Sequence, residues 1–281
     1  ASVWEAAVRY AQIGTSLLPE TCWTECYSIS YPLCLLQIEC EFLVSNYDEA
    51  RTLAERLLQH AQTPLEKAQI GFLLVSQLRN LNYSIEKGME ALRYCGVQVP
   101  EIAQINKSLM EKEHQTLKAL LAEKNWENEA ETLLSKPTPI EFSLAYRICS
   151  QLTAACQVVG NQELLFYIVY RGMRTVLEKG SSEHAISIYA MYSAMLAKQG
   201  NYIEANKVAS ITLNLLERYP LCADAPFVYM ALGTFVWHYN HPLKQSVELQ
   251  LKAYEIGYEY GDITRGVFAG YSNSIINYFA L

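Results

Sequence analysis

No part of this sequence is rich in glycine or proline: its 281 residues hold 13 of the first and nine of the second. That scarcity argues against collagen-like and low-complexity disordered chains, which depend on those residues. Charge is sparse as well, at 18% of residues, and cations are the scarcer sign, leaving a net charge of −7. No run of Lys or Arg offers a footprint for nucleic acid, so that partner is not expected. The longest charge-free run, Ala225 to Leu243, has roughly membrane-spanning length. It is interrupted by Gly233, His238, Asn240, His241 and Pro242, so a buried core helix is expected and no membrane insertion. Strand-like alternation is not sustained anywhere.

Motifs that carry chemistry are missing too. A P-loop needs G-x-x-x-x-G-K-[ST], whose amides hold phosphates. The nearest stretch, VLEKGSSEH (Val176–His184), has neither the paired glycine nor the Gly-Lys order. No Gly-rich kinase loop, H-R-D loop or D-F-G is present. His60, His114 and His184 fall on helical patterns without a phosphoacceptor context. His238 and His241 are separated by a turn at Asn240, and no carboxylate is placed beside them, so no metal and no cofactor is expected. The expected catalytic set is empty. An enzyme in its own right is the least favoured class.

What the chain has is thiol, aromatic residues and repetition. Its eight cysteines, Cys22, Cys26, Cys34, Cys40, Cys95, Cys149, Cys156 and Cys222, sit mostly among apolar neighbours with no CxxC. Reduced core thiols in a cytoplasmic protein are expected, since free Cys behaves as a small hydrophobe.

The stretch QGNYIEAN (Gln199–Asn206) has relatives at VSNYDEA, RNLNYS, EKNWENEA, VGNQELL and HYNHPLK. The shared asparagines, Asn46, Asn80 or Asn82, Asn125, Asn161, Asn201 and Asn240, lie 34 to 45 residues apart. A second series of breaks alternates with them at Thr63-Pro64, Val99-Pro100, Pro137-Thr138-Pro139, Gly180-Ser181, Tyr219-Pro220 and Gly261-Asp262. Stacked helix pairs are the reading. Ala50, Leu53, Ala54, Leu57, Leu58 and Ala61 form one apolar stripe; Ala205, Val208, Ala209, Thr212, Leu215 and Leu216 form another. In each corner Asn46 or Asn201 is expected to take the left-handed or turn conformation that reverses the chain, Tyr47 or Tyr202 to cover the joint, and Ala50 or Ala205 to let the helices cross closely. Thr63, Thr138 and Ser181-Ser182-Glu183 read as N-caps. Pro32 lies inside an otherwise continuous helix of about residues 21 to 44, where a kink or break is expected.

The corners resemble tetratricopeptide repeats. Residues 37–70, the stretch EALRYCGVQVP and residues 235–271 are further similar to the helical region of very large bacterial signalling proteins, common in cyanobacteria. There a Ser/Thr kinase-like domain and an AAA-type ATPase precede such a region, and GAF and histidine kinase modules follow it. The resemblance implies an all-α fold, a right-handed α-solenoid of about six to seven tetratricopeptide-like helix pairs forming one domain over 1–281, with a possible subdivision near 134–139. It carries no catalytic or ligand residue. The opening ASVWEAAVRYAQIG and the closing SNSIINYFAL, both helical in pattern, fit a piece of a longer chain.

The twenty tyrosines and four tryptophans include clusters in SIYAMYSAML (Ser187–Leu196), FVYMALGTFVWHY (Phe227–Tyr239) and AYEIGYEYG (Ala253–Gly261). Inter-helix packing is one reading. The other is a concave groove lined by first helices, with Tyr146, Tyr189, Tyr192, Tyr229 and His238 as binding residues. Two functions follow: a regulatory scaffold that binds protein, peptide or neighbouring domains, or a sensor whose groove takes a small molecule or signal peptide. Composition fixes neither the partner nor the oligomeric state.

Overall fold

The computed structural model describes residues 3–76, 80–124, 138–219, 222–259 and 266–271. Among them the regular structure is helical, with no strand. The helices are α1 (Val3–Ser16), α2 (Cys22–Glu25), α3 (Tyr27–Leu43), α4 (Tyr47–His60), α5 (Pro64–Val75), α6 (Leu81–Tyr94), α7 (Lys107–Lys124), α8 (Ile140–Val159), α9 (Gln162–Lys179), α10 (Ile186–Lys198), α11 (Tyr202–Glu217), α12 (Ala225–Phe235) and α13 (Leu243–Glu259). Short 3₁₀ turns lie at Ile102–Gln104, Glu183–Ala185 and Trp237–Tyr239.

Three corners share one geometry. At the end of α3, Ser45 takes a left-handed φ of 66°. Its N–H donates to the Phe42 carbonyl at 3.0 Å, and the Asn46 N–H donates to Glu41 at 2.9 Å. These two bonds satisfy carbonyls that the helix end would otherwise leave open. Gly160 after α8 (φ 80°) and Gly200 after α10 (φ 81°) repeat the pair, with Asn161 donating to Cys156 and Asn201 to Leu196. The residue before each Asn therefore carries the left-handed turn. Asn46, Asn161 and Asn201 themselves have φ of −80°, −80° and −88° and sit at the N-cap of the next helix. Of the two conformations expected of Asn, the left-handed one falls one position earlier, where Gly pays no Cβ penalty. The corner at Asn125 lies outside the described residues, as do residues 77–79 before Asn80.

Across the joints, small residues set the crossing. Ala50 and Ala205 are fully buried. Ser193 of α10 donates to the Ala205 carbonyl of α11 at 2.7 Å, a reach only a close crossing permits. In α12, a Cβ on Gly233 would stand 3.0 Å from the Ser246 carbonyl of α13. The buried set of α11 is the stripe Ala205, Val208, Ala209, Thr212, Leu215 and Leu216. Tyr202 stays 41% exposed and stacks on Tyr239, centroids 4.2 Å apart.

The first helices of neighbouring pairs touch: α3 with α5, α5 with α8, α8 with α10, and α10 with α12. Hydrogen bonds between pairs recur at nearly one period. Tyr31 Oη donates to the Glu66 carbonyl 35 residues on; within one pair, Tyr146 Oη of α8 donates to Gly180 at the end of α9. Thr138 Oγ1 donates to Ser181, 43 on; His184 meets Asp224, 40 on; and Asn240 donates back to the Tyr202 carbonyl across 38. Thr138 is thus not a cap: Pro139 holds the N-cap position of α8. Thr63 does cap α5, in a reciprocal box with Glu66.

Two further expectations shift. The break near Pro32 occurs at Cys26 (φ −135°), and α3 runs through the proline. Starting the helix there leaves Pro32 only one turn inside. Among the described residues, α7 packs chiefly on α9, while α6 packs directly on α8. Among the described residues, helix α7 thus lies as a strut against α9.

Candidate functional site

A cleft of about 680 Å³ opens where α7 lies against α9. Its third wall is the segment after α6. There Gly96 (φ 80°) turns the chain, with its N–H donating to Arg93 and the Val97 N–H to Leu92. The chain then runs to Pro100 with Val97 and Val99 turned into the core. Arg93 fixes this wall. Its Nε donates to the Val99 carbonyl at 3.3 Å, its Nη2 to Pro100 at 3.0 Å, and it pairs with Glu101 at 3.1 Å.

The α7–α9 seam is charged. The Glu113 side chain, 8% exposed, lies 3.4 Å from Arg171 Nε and 3.3 Å from Arg174 Nη1. Arg174 also donates to Glu178 at 2.7 Å. Glu178 first, with Glu113 behind it, raises the Arg174 pKa against the opposing cost of burial. Arg171 Nε approaches Glu113 without an aligned hydrogen bond. The Arg171 Nη2 reaches the Tyr167 hydroxyl at only 3.4 Å. Burial pushes the Tyr167 pKa up, against the pull of Arg171. Below the seam His114 stacks on Tyr170, 4.3 Å between centroids and nearly parallel. Burial and nearby Lys118 lower the His114 pKa. The cleft walls therefore hold four cations, Arg93, Lys112, Arg171 and Arg174, against one carboxylate, Glu113, in a chain of net charge −7.

The groove residues expected from sequence lie elsewhere. Tyr146, Tyr189, Tyr192 and Tyr229 are all buried and belong to the main core. Helix α10 explains two of them: 11 of its 13 residues are buried, because it is packed by α8, α9, α11 and α12 together. Tyr146 bonds to Gly180, Tyr192 meets Tyr170 edge-on, and Tyr229 lies under Lys252 Nζ at 4.5 Å. They are core rings and offer little face to a ligand. His238 is half-buried against Tyr239, and burial lowers its pKa. His241 stacks on Trp237 and meets Asn206 at 2.8 Å.

The eight thiols are free. Burial pushes Cys95, Cys149, Cys156 and Cys222 up to about 12, which keeps them protonated and unreactive. No group of three or more His, Cys, Asp or Glu among the described residues is placed to hold a metal ion. No helix among them is long and apolar enough to cross a membrane.

Sequence reasoning passed over Arg171, Arg174 and Glu113. The local signal was RGMRTVLEK, which places Arg171 and Arg174 at i, i+3 and Glu178 one turn on. Their partner Glu113 lies 61 residues from Arg174, beyond any local pattern. Comparison with protein-family profiles, with curated proteins and with solved structures finds no match to this chain.

Proposed function

We propose that the chain is a right-handed tetratricopeptide-like solenoid serving as a non-catalytic regulatory scaffold of a multi-domain bacterial signalling kinase. Its partners on this reading are proteins, peptides or neighbouring domains of the same chain, in the cytoplasm. The observation that carries it is the inter-pair hydrogen bonding at nearly one period. Tyr31–Glu66, His184–Asp224 and Tyr202–Asn240 are 35 to 40 residues apart. Contact of each helix pair with its neighbours in the series supports a quasi-one-dimensional stack. In the full-length gene product, Ala205→Leu is expected to change kinase autophosphorylation while ATP hydrolysis persists. Turnover of ATP by the purified chain would overturn the non-catalytic reading. A gene product without kinase or ATPase modules would overturn its placement.

The cleft beside α7 favours a second reading. A sensing module needs a concave site whose occupancy alters the packing of a strut, and α7 on α9 meets that description.

A further inference from the structure

We infer that the α7–α9 cleft binds a small organic anion: one oxyanion head, carboxylate or phosphate, attached to an apolar body. The inference rests on the sensing reading and names its ligand class.

The head is assigned by unspent donors. An arginine fork offers five N–H groups and is suited to bidentate contact with carboxylate or phosphate. Arg171 uses few of them. Its Nε faces Glu113 at 3.4 Å without donating an aligned bond, and its Nη2 has a long contact to Tyr167. Its side chain is 15% exposed, so water compensates little. Lys112 lines the same cleft and has no ion-pair partner among the described residues. The other cations are already matched, Arg93 by Glu101, and Arg174 by Glu178 with a share of Glu113. Charge balance is thus short by about one negative charge at Arg171 and Lys112. A single oxyanion head supplies it.

The body is assigned by the apolar part of the lining. Pro100 and Leu109, both only part-buried, line the cleft together with the arginines, while Val97 and Val99 of the same wall are buried in the core. A volume of about 680 Å³ falls within the usual range for small-molecule sites. Because α7 provides Lys112 and α9 provides Arg171, a head held by both fastens the strut to the paired helices. Binding therefore protects α7 first.

Calorimetric titration of the intact chain at low salt tests this with four probes: inorganic phosphate, phenyl phosphate, benzoate and the neutral benzyl alcohol. Phenyl phosphate or benzoate is expected to bind at least tenfold tighter than inorganic phosphate and than benzyl alcohol, and to weaken as salt rises. Which of the two binds tighter identifies the head. Arg171→Gln and Lys112→Gln should each weaken binding about tenfold or more, whereas Lys244→Gln on α13 should not. Lys112 is exposed and unpaired, so its variant keeps the test valid if Arg171→Gln fails to fold. Absence of saturable binding by all three anions, or binding unaffected by Lys112→Gln, overturns the inference. Equal binding of benzyl alcohol overturns the oxyanion assignment and leaves the sensing reading standing.

Discussion

Helices α10 and α11 meet through small, close contacts; α7 and α9 meet through charge set among apolar and aromatic residues. At the first seam Ser193 reaches the Ala205 carbonyl, and the facing side chains are Ala, Val, Thr and Leu. At the second, Glu113 is shared by two arginines and His114 lies flat on Tyr170. The contrast is instructive because both seams bury a helix face. Close apolar crossing leaves no room between helices and no choice of register. At the charged seam Glu113 and the arginines lie alongside the fully buried Leu117, and a cleft remains beside them.

The largest effect is expected from Glu113→Gln. Removing one partner of a buried ion pair leaves Arg171 uncompensated and should cost about 3 kcal/mol. The loss should be local: limited proteolysis should open residues 107–124 while α10 and α11 stay protected. A uniform loss would erase the distinction between strut and paired series. Ala205→Leu comes next, at about 1–3 kcal/mol from overpacking the crossing, read by denaturant unfolding.

Acidification should separate the seams more gently. The His114 pKa is lowered from its ordinary value of 6.5 by burial and Lys118. The unfolded chain therefore binds the proton more readily than the folded one. Stability linked to His114 is full above pH 6.5 and is lost as pH falls through that value toward the lower folded one. His238 shifts in the same direction, so His114→Gln should flatten the part of the pH profile that belongs to α7. The smallest effect is Tyr202→Ala. Its ring is 41% exposed, and the stack on Tyr239 is worth about 1 kcal/mol.

The same contrast explains what could be read from sequence. Apolar crossings write themselves into local pattern, and the α11 stripe matches its buried face residue for residue. Corner chemistry was legible in outline, although the left-handed turn falls on Ser45, Gly160 and Gly200 and not on the asparagines that draw the eye. The tyrosine groove was misplaced because α10 is buried almost all round, which periodicity cannot distinguish from one buried face. The cleft was illegible because it joins Glu113 to Arg174 through folding alone. The seating of α7 on α9 was hidden too, because spacing counts residues and does not say which helix a segment packs on.

Residue-resolved hydrogen exchange on the intact chain and on Ala205→Leu tests the stacked-pair account most directly. Stability in such a stack is a sum of nearest-neighbour terms. The account predicts lost protection centred on α10 to α13, with α3 to α6 keeping theirs. Equal loss in every helix, from α3 onward, would contradict it.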